Sequence, residues 1–215
     1  VMGYPTMIVF NPAGGEITRI PGGIDISRYN TVLELSLNQM RSTADLVQIA
    51  LEDSTRLSPD EFYQLAYYSW FQDTSAVPEG VDKTDLFLGL STSAPEGELS
   101  NRFYMSYLLA LTGKDDIEGA DQGHLRADLS VAKRLEKILS SSSLTLASWD
   151  SLAYSMEEIL ALEVIDEADK AELAVLWVNS VFDLRFDGSL SKSERLAGWV
   201  PKLQLATSGH RPLAK

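Results

Sequence analysis

The chain has 215 residues, 45% of them hydrophobic and 23% charged, enough apolar material for one large domain or two modest ones. A formal net charge of -13 argues against nucleic acid or an anionic membrane as the main partner, because both need a basic footprint. There is no cysteine, so disulfides, thiolate metal sites and cysteine nucleophiles are ruled out for this chain.

The first segment is rich in strand signals. Met7-Ile8-Val9-Phe10 is a short β-branched and aromatic run, and Ile17-Thr18-Arg19-Ile20 alternates apolar and polar residues. Between them Asn11-Pro12-Ala13-Gly14-Gly15 supplies turn chemistry, with glycines available for positive φ. The three pieces predict a β-hairpin. Pro21-Gly22-Gly23 ends it, and Asp25 or Ser27 caps a helix. On that helix Ile26, Tyr29, Leu33, Leu37 and Met40 recur at helical spacing and make one apolar face.

Beyond residue 43 strand signals nearly vanish and amphipathic helices follow. Helices are expected at Thr43–Asp53, from the capping box Ser58-Pro59-Asp60-Glu61 through Phe71, and at Lys83–Leu90. Further helices are expected at 98–111, 125–139, 148–160, 167–184 and 192–205. The expected fold is therefore mainly α: a partial N-terminal β-hairpin plus helix over residues 1–42, then an array of about seven helices over 43–215. Leu57–Tyr67 and Leu144–Tyr154 share an order of Leu, Ser or Thr, an aromatic residue and Leu-Ala-Tyr. Either two stacked helical repeats or two independently capped amphipathic helices produce that echo.

Gly3-Tyr4-Pro5-Thr6, followed by strand, Gly-rich turn, strand, Pro-Gly and helix, resembles the second half of the thioredoxin fold. The resemblance covers about the first forty residues. It implies that Pro5 occupies the family's cis-proline position, with Tyr4 and Thr6 beside it in the substrate-binding role. It implies that Met7–Asn11 and Glu16–Ile20 are the last two strands, and Ile26–Met40 the final helix. The family's Cys-x-x-Cys motif is missing, and thiol–disulfide exchange requires a thiolate. The resemblance therefore implies a piece of a thiol–disulfide oxidoreductase whose cysteines lie outside this chain. The chain opens Val1-Met2-Gly3, which matches a removed leader or a removed first half of a domain equally well. The helices are also similar to helical extensions of bacterial envelope proteins, chiefly at Leu65-Ala66-Tyr67-Tyr68-Ser69-Trp70. That implies a periplasmic or secreted location; a cytoplasmic one is the alternative.

Other constellations carry less. Asp183, Asp187, Ser191 and Glu194 fall at calcium-loop positions. Arg185 stands where an oxygen ligand is wanted, so a turn at Asp187-Gly188 and a capping box from Ser191 to Glu194 is the preferred reading. Phe62, Tyr63, Tyr67, Tyr68, Trp70 and Phe71 form an aromatic cluster, read as core in preference to a groove for extended peptides. His124 and His210 have no ligand spacing. No cofactor motif appears and no apolar run is long enough to span a bilayer. The expected partner is a protein or peptide client bound by the helices, with a homo-oligomer or pairing through the exposed hairpin edge as a further expectation. A non-catalytic, holdase-like role is the alternative to the redox reading.

Overall fold

The computed structural model describes residues 6–21, 24, 26–39, 41–70, 75–115, 129–139, 159–160, 162 and 165–186. Within them the chain is mainly α-helical with an N-terminal antiparallel hairpin. The order is β1 (Thr6–Phe10), β2 (Glu16–Pro21), α1 (Ile26–Gln39), α2 (Thr43–Asp53), a 3-10 turn at Ser54–Arg56, α3 (Pro59–Ala66), α4 (Lys83–Ser93), α5 (Glu98–Asp115), α6 (Leu129–Leu139) and α7 (Glu167–Phe186). The chain divides into two compact units, Val1–Leu108 and Leu109–Lys215. Residues 1–42, expected to form a segment of their own, lie within the first unit.

The hairpin turn follows from Asn11 and Gly14. The Asn11 carboxamide oxygen accepts from the amides of Ala13 and Gly15, each at 2.9 Å. The Gly14 amide donates to the Asn11 carbonyl at 2.9 Å, and Gly14 takes φ +87°. Only a residue without Cβ reaches that region freely. Val9 pairs with Thr18 and Phe10 with Glu16, so Ile17 is the extra residue of a bulge in β2. The bulge breaks the alternation of the strand: consecutive Ile17 and Thr18 are both buried, as is Ile20.

The hairpin is held on its β2 side by helices. The Thr43 hydroxyl at the start of α2 donates to the Ile17 carbonyl at 3.1 Å. The Ser69 amide, just past α3, donates to the Arg19 carbonyl at 3.0 Å. Val32 and Ser36 of α1 are fully buried, and the Ser36 hydroxyl returns to the Val32 carbonyl at 2.7 Å. The core of this unit continues through Leu46, Val47, Leu65, Tyr67, Leu90, Phe103 and Leu108. Two separate aromatic contacts belong to it, Trp70 edge-on to Phe87 at 5.2 Å and Phe62 edge-on to Phe103 at 6.2 Å.

Helix starts match the capping chemistry. Ser42 and Ser58 each close a capping box, with Asp45 and Glu61 respectively. The end of α3 does not match the expected run to Phe71: it stops at Ala66, and Tyr67 leaves helical geometry at φ -106°, ψ 10°. The indole of Trp70 donates to the Leu65 carbonyl at 2.9 Å, and Arg102 donates to the Ala66 carbonyl at 3.1 Å. Arg102 thus fills a carbonyl left open by the helix end, Leu65 also accepts from the Tyr68 amide at 3.3 Å, and the chain turns so that Ser69 reaches β2.

In the second unit α6 packs on α7. Its buried residues include Val131, Leu135, Ile138 and Leu139 from α6 and Leu173, Ala174 and Trp177 from α7. Asp166 caps α7 by accepting from the Ala168 amide at 2.9 Å. The helices expected at 148–160 and 192–205, and the second copy of the echo at 144–154, fall outside the described residues except for Ile159 and Leu160. No described helix is long and apolar enough to cross a membrane.

Candidate docking edge

The two edges of the hairpin differ. The outward carbonyls of β2, at Ile17 and Arg19, are occupied by Thr43 and Ser69. Backbone groups of residues two apart in a strand point the same way. Because the Arg19 carbonyl points away from β1, Arg19 and its partner Ile8 form a non-hydrogen-bonded pair. The amide and carbonyl of Ile8 therefore face outward from the free side of β1. Pro21, which has no N–H, sits opposite Thr6 at the same kind of position, where no ladder donor is needed. Among the described residues no strand pairs with that side of β1.

The side chains around this edge are apolar and open. Met7, Ile8 and Phe10 are 40%, 37% and 56% exposed, whereas Val9 is buried. Strand β1 holds no charged residue. Ile8 and Phe10 share the face of the hairpin that also carries the Glu16–Arg19 ion pair, at 2.8 Å.

Helix α1 adds a second apolar surface, on the Met7 face of that edge. Its consecutive residues Arg28 and Tyr29 diverge by about 100°, the angular step of an α-helix. Arg28 points toward Tyr67 and Glu98, while the Tyr29 hydroxyl contacts the Met7 sulfur at 2.7 Å. Tyr29 thus marks the flank of α1 over β1. Leu33, Ile26 and Leu37 follow it round the helix, and Ile26 and Leu37 are 74% and 52% exposed. An open strand edge and an open apolar helix flank lie side by side.

The other concentration of functional-looking groups is a half-buried clasp among α1, α5 and the turn after α3. Arg28 holds Glu98 with two bonds, Nε to Oε1 at 2.8 Å and Nη2 to Oε2 at 2.9 Å. The Arg28 Nε also donates to the Tyr67 hydroxyl at 2.7 Å, and that hydroxyl donates to Glu98. Arg102 stacks over the Tyr67 ring at 4.0 Å. Burial pushes the Tyr67 phenol well above its ordinary range, against the pull of Arg102. Burial alone would raise the Glu98 carboxyl, but the bonds from Arg28 and Tyr67 and the two arginine charges hold it below its ordinary value. At neutral pH the clasp therefore holds a fixed carboxylate and a fixed phenol, with neither poised to exchange protons. It joins elements of the fold and offers no acid–base pair.

Of the residues singled out in the sequence, Thr6 opens β1 and so begins the candidate edge. Tyr4 and Pro5 lie outside the described residues. So do Asp187, Ser191 and Glu194, while Asp183 belongs to the last turn of α7. Among the described residues no three histidine, aspartate or glutamate side chains gather as a metal site. In the aromatic cluster Phe62, Tyr67 and Tyr68 are buried, and Tyr63 and Trp70 are partly so. The flank of α1 was present in the sequence as the stripe Ile26, Leu33, Leu37. Nothing local in the sequence told which part of that stripe is covered. No protein-family model, no curated protein and no solved structure matches the chain.

Proposed function

We propose that the N-terminal unit is a protein-interaction module that accepts an extended polypeptide strand along β1. The observation that supports it is the contrast between the two hairpin edges. Side-chain and backbone donors cap β2, whereas the Ile8 amide and carbonyl face an uncharged, apolar opening. Folded proteins normally blunt an open edge with lysine, proline or a covering element. In strand addition the backbone bonds supply affinity and alternate side-chain pockets supply selectivity. An added strand would lay every second side chain against Met7 and the Leu33, Ile26, Leu37 flank, because strand side chains alternate between faces. The segment accepted is therefore one with apolar residues at alternate positions.

Amide hydrogen exchange tests this reading. A synthetic peptide alternating valine and threonine should slow exchange at the Ile8 amide and leave the amides of the Val9–Thr18 pair unchanged. No slowing at Ile8 at saturating peptide would reject it.

The thioredoxin-like resemblance gives a second reading, favoured by β1 beginning directly after Tyr4-Pro5. In it the strand that adds to β1 belongs to a segment bearing Cys-x-x-Cys, and the assembled sheet carries out thiol–disulfide exchange. The chain alone has no thiol to supply. Disulfide reductase activity that appears only when such a segment is supplied would support it; an assembled complex without activity would reject it.

A further inference from the structure

We infer that the strand taken up by β1 is β1 of a second copy, giving a two-fold dimer with a continuous four-stranded sheet in the order β2, β1, β1, β2. The inference rests on the strand-acceptor reading and names the acceptor's partner.

Three features converge on a second copy. The first is register. Ile8 is the central residue of Thr6–Phe10, and its amide and carbonyl both point out of the open edge. A two-fold axis at Ile8 sets it opposite Ile8 of the second copy as a hydrogen-bonded pair, the two residues exchanging both backbone bonds. Met7 then faces Val9 of the second copy. The same strand satisfies both sides of the pairing with no shift and no unpaired charge, since β1 holds none.

The second feature is spacing. Strands in a sheet lie about 4.8 Å apart, so two strands of sheet span about 10 Å. Helix α1 packs against both β1 and β2, one helix to two strands. Joining two hairpins through β1 would therefore set the two α1 axes about 10 Å apart, at the upper end of the distance at which helices pack.

The third feature is the open α1 flank. Ile26 and Leu37 are among the most exposed large apolar residues described, and they lie on the β1 side of α1. A short extended peptide covers the edge but brings no helix to that flank. A second copy brings both, its own edge to the edge and its own flank to the flank.

Molar mass by light scattering across a dilution series, with hydrogen exchange at Ile8 on the same samples, tests the inference on the full chain. The expected result is a rise from one to two chain masses, with protection of the Ile8 amide appearing over the same range. Ile8→Lys places a charge on the edge, and Leu37→Glu places one on the flank. Each should weaken association at least tenfold while helical circular dichroism stays the same. Two variants guard against a folding defect in either one. A single chain mass at all concentrations, with the alternating peptide still protecting Ile8, would overturn the dimer and leave the strand acceptor standing. A single chain mass and no protection by peptide would overturn both. A dimer that keeps Ile8 unprotected and ignores both substitutions would overturn pairing through β1.

Discussion

Two glycines show how one residue type stabilises or destabilises according to backbone angle. Gly14 holds φ +87° and a Cβ built on it meets nothing within 4 Å. Its cost on substitution is therefore purely conformational. Gly14→Ala should lower stability by about 1 kcal/mol, and Gly14→Asn by less, because asparagine tolerates the left-handed region. Gly89 lies inside α4 with equally open surroundings and no positive φ, so Gly89→Ala should raise stability by up to about 1 kcal/mol. Thermal melts of the three variants check both signs. Glu98 sets a third expectation. Its carboxyl sits below the ordinary value of 4.5 in the folded chain, so the unfolded chain binds its proton first as pH falls. The stability it contributes is complete above that ordinary value and is lost as pH drops through the lower, folded one. Glu61, held down by Ser58 and Arg41 against its burial, adds a loss of the same sign. Glu98→Gln should reduce stability at neutral pH by about 2 kcal/mol and flatten its decline below pH 4.5; urea unfolding across acid pH measures both.

At the scale of elements, locally encoded boundaries were legible, among them the end of α2 at Asp53 and of α6 at Leu139. Ser42 and Ser58 announce their helices because a cap is a local bond between residues three apart. Ser58→Ala should destabilise the fold by about 1 kcal/mol, seen as a lower urea midpoint with an unchanged slope. The turn was legible for the same reason, since Asn11 and Gly14 satisfy one another within five residues. The end of α3 was not. Tyr67-Tyr68-Ser69-Trp70 contains no glycine or proline to stop a helix. What stops it is Arg19, Arg102 and the Trp70 indole, two of which lie more than thirty residues away. The bulge at Ile17 was equally hidden, because Ile-Thr-Arg-Ile reads as plain alternation until its pairing with Val9 and Phe10 is known. The aromatic run is core at Phe62, Tyr67 and Tyr68, as its composition predicts, although Tyr67 and Tyr68 lie past the end of α3.

At the scale of the whole molecule, apolar spacing with turn and cap residues indicated a mainly helical chain with an N-terminal hairpin, and the fold agrees. The candidate site was half legible. The apolar strand and the apolar helix stripe stand in the sequence, but which edge stays open depends on Thr43 and Ser69 reaching the other one, and no local pattern encodes that. The acidic charge bears on association as well. Two chains of net charge -13 each repel at long range, and salt shortens that repulsion to about 8 Å near physiological ionic strength. Pairing through an uncharged strand should therefore tighten as salt is added, whereas docking of a basic peptide would loosen. Repeating the light-scattering series at low and high salt reads the direction. The capped carbonyls of Ile17 and Arg19 have one more consequence. A sheet that grew from both sides could add chain after chain into a fibril, as uncharged β-rich segments do. Here the outer rows of a paired assembly are both β2, already bonded to Thr43 and Ser69. In the proposed dimer growth would stop at two, because the bonds that seat the hairpin on its helices also close the β2 edge.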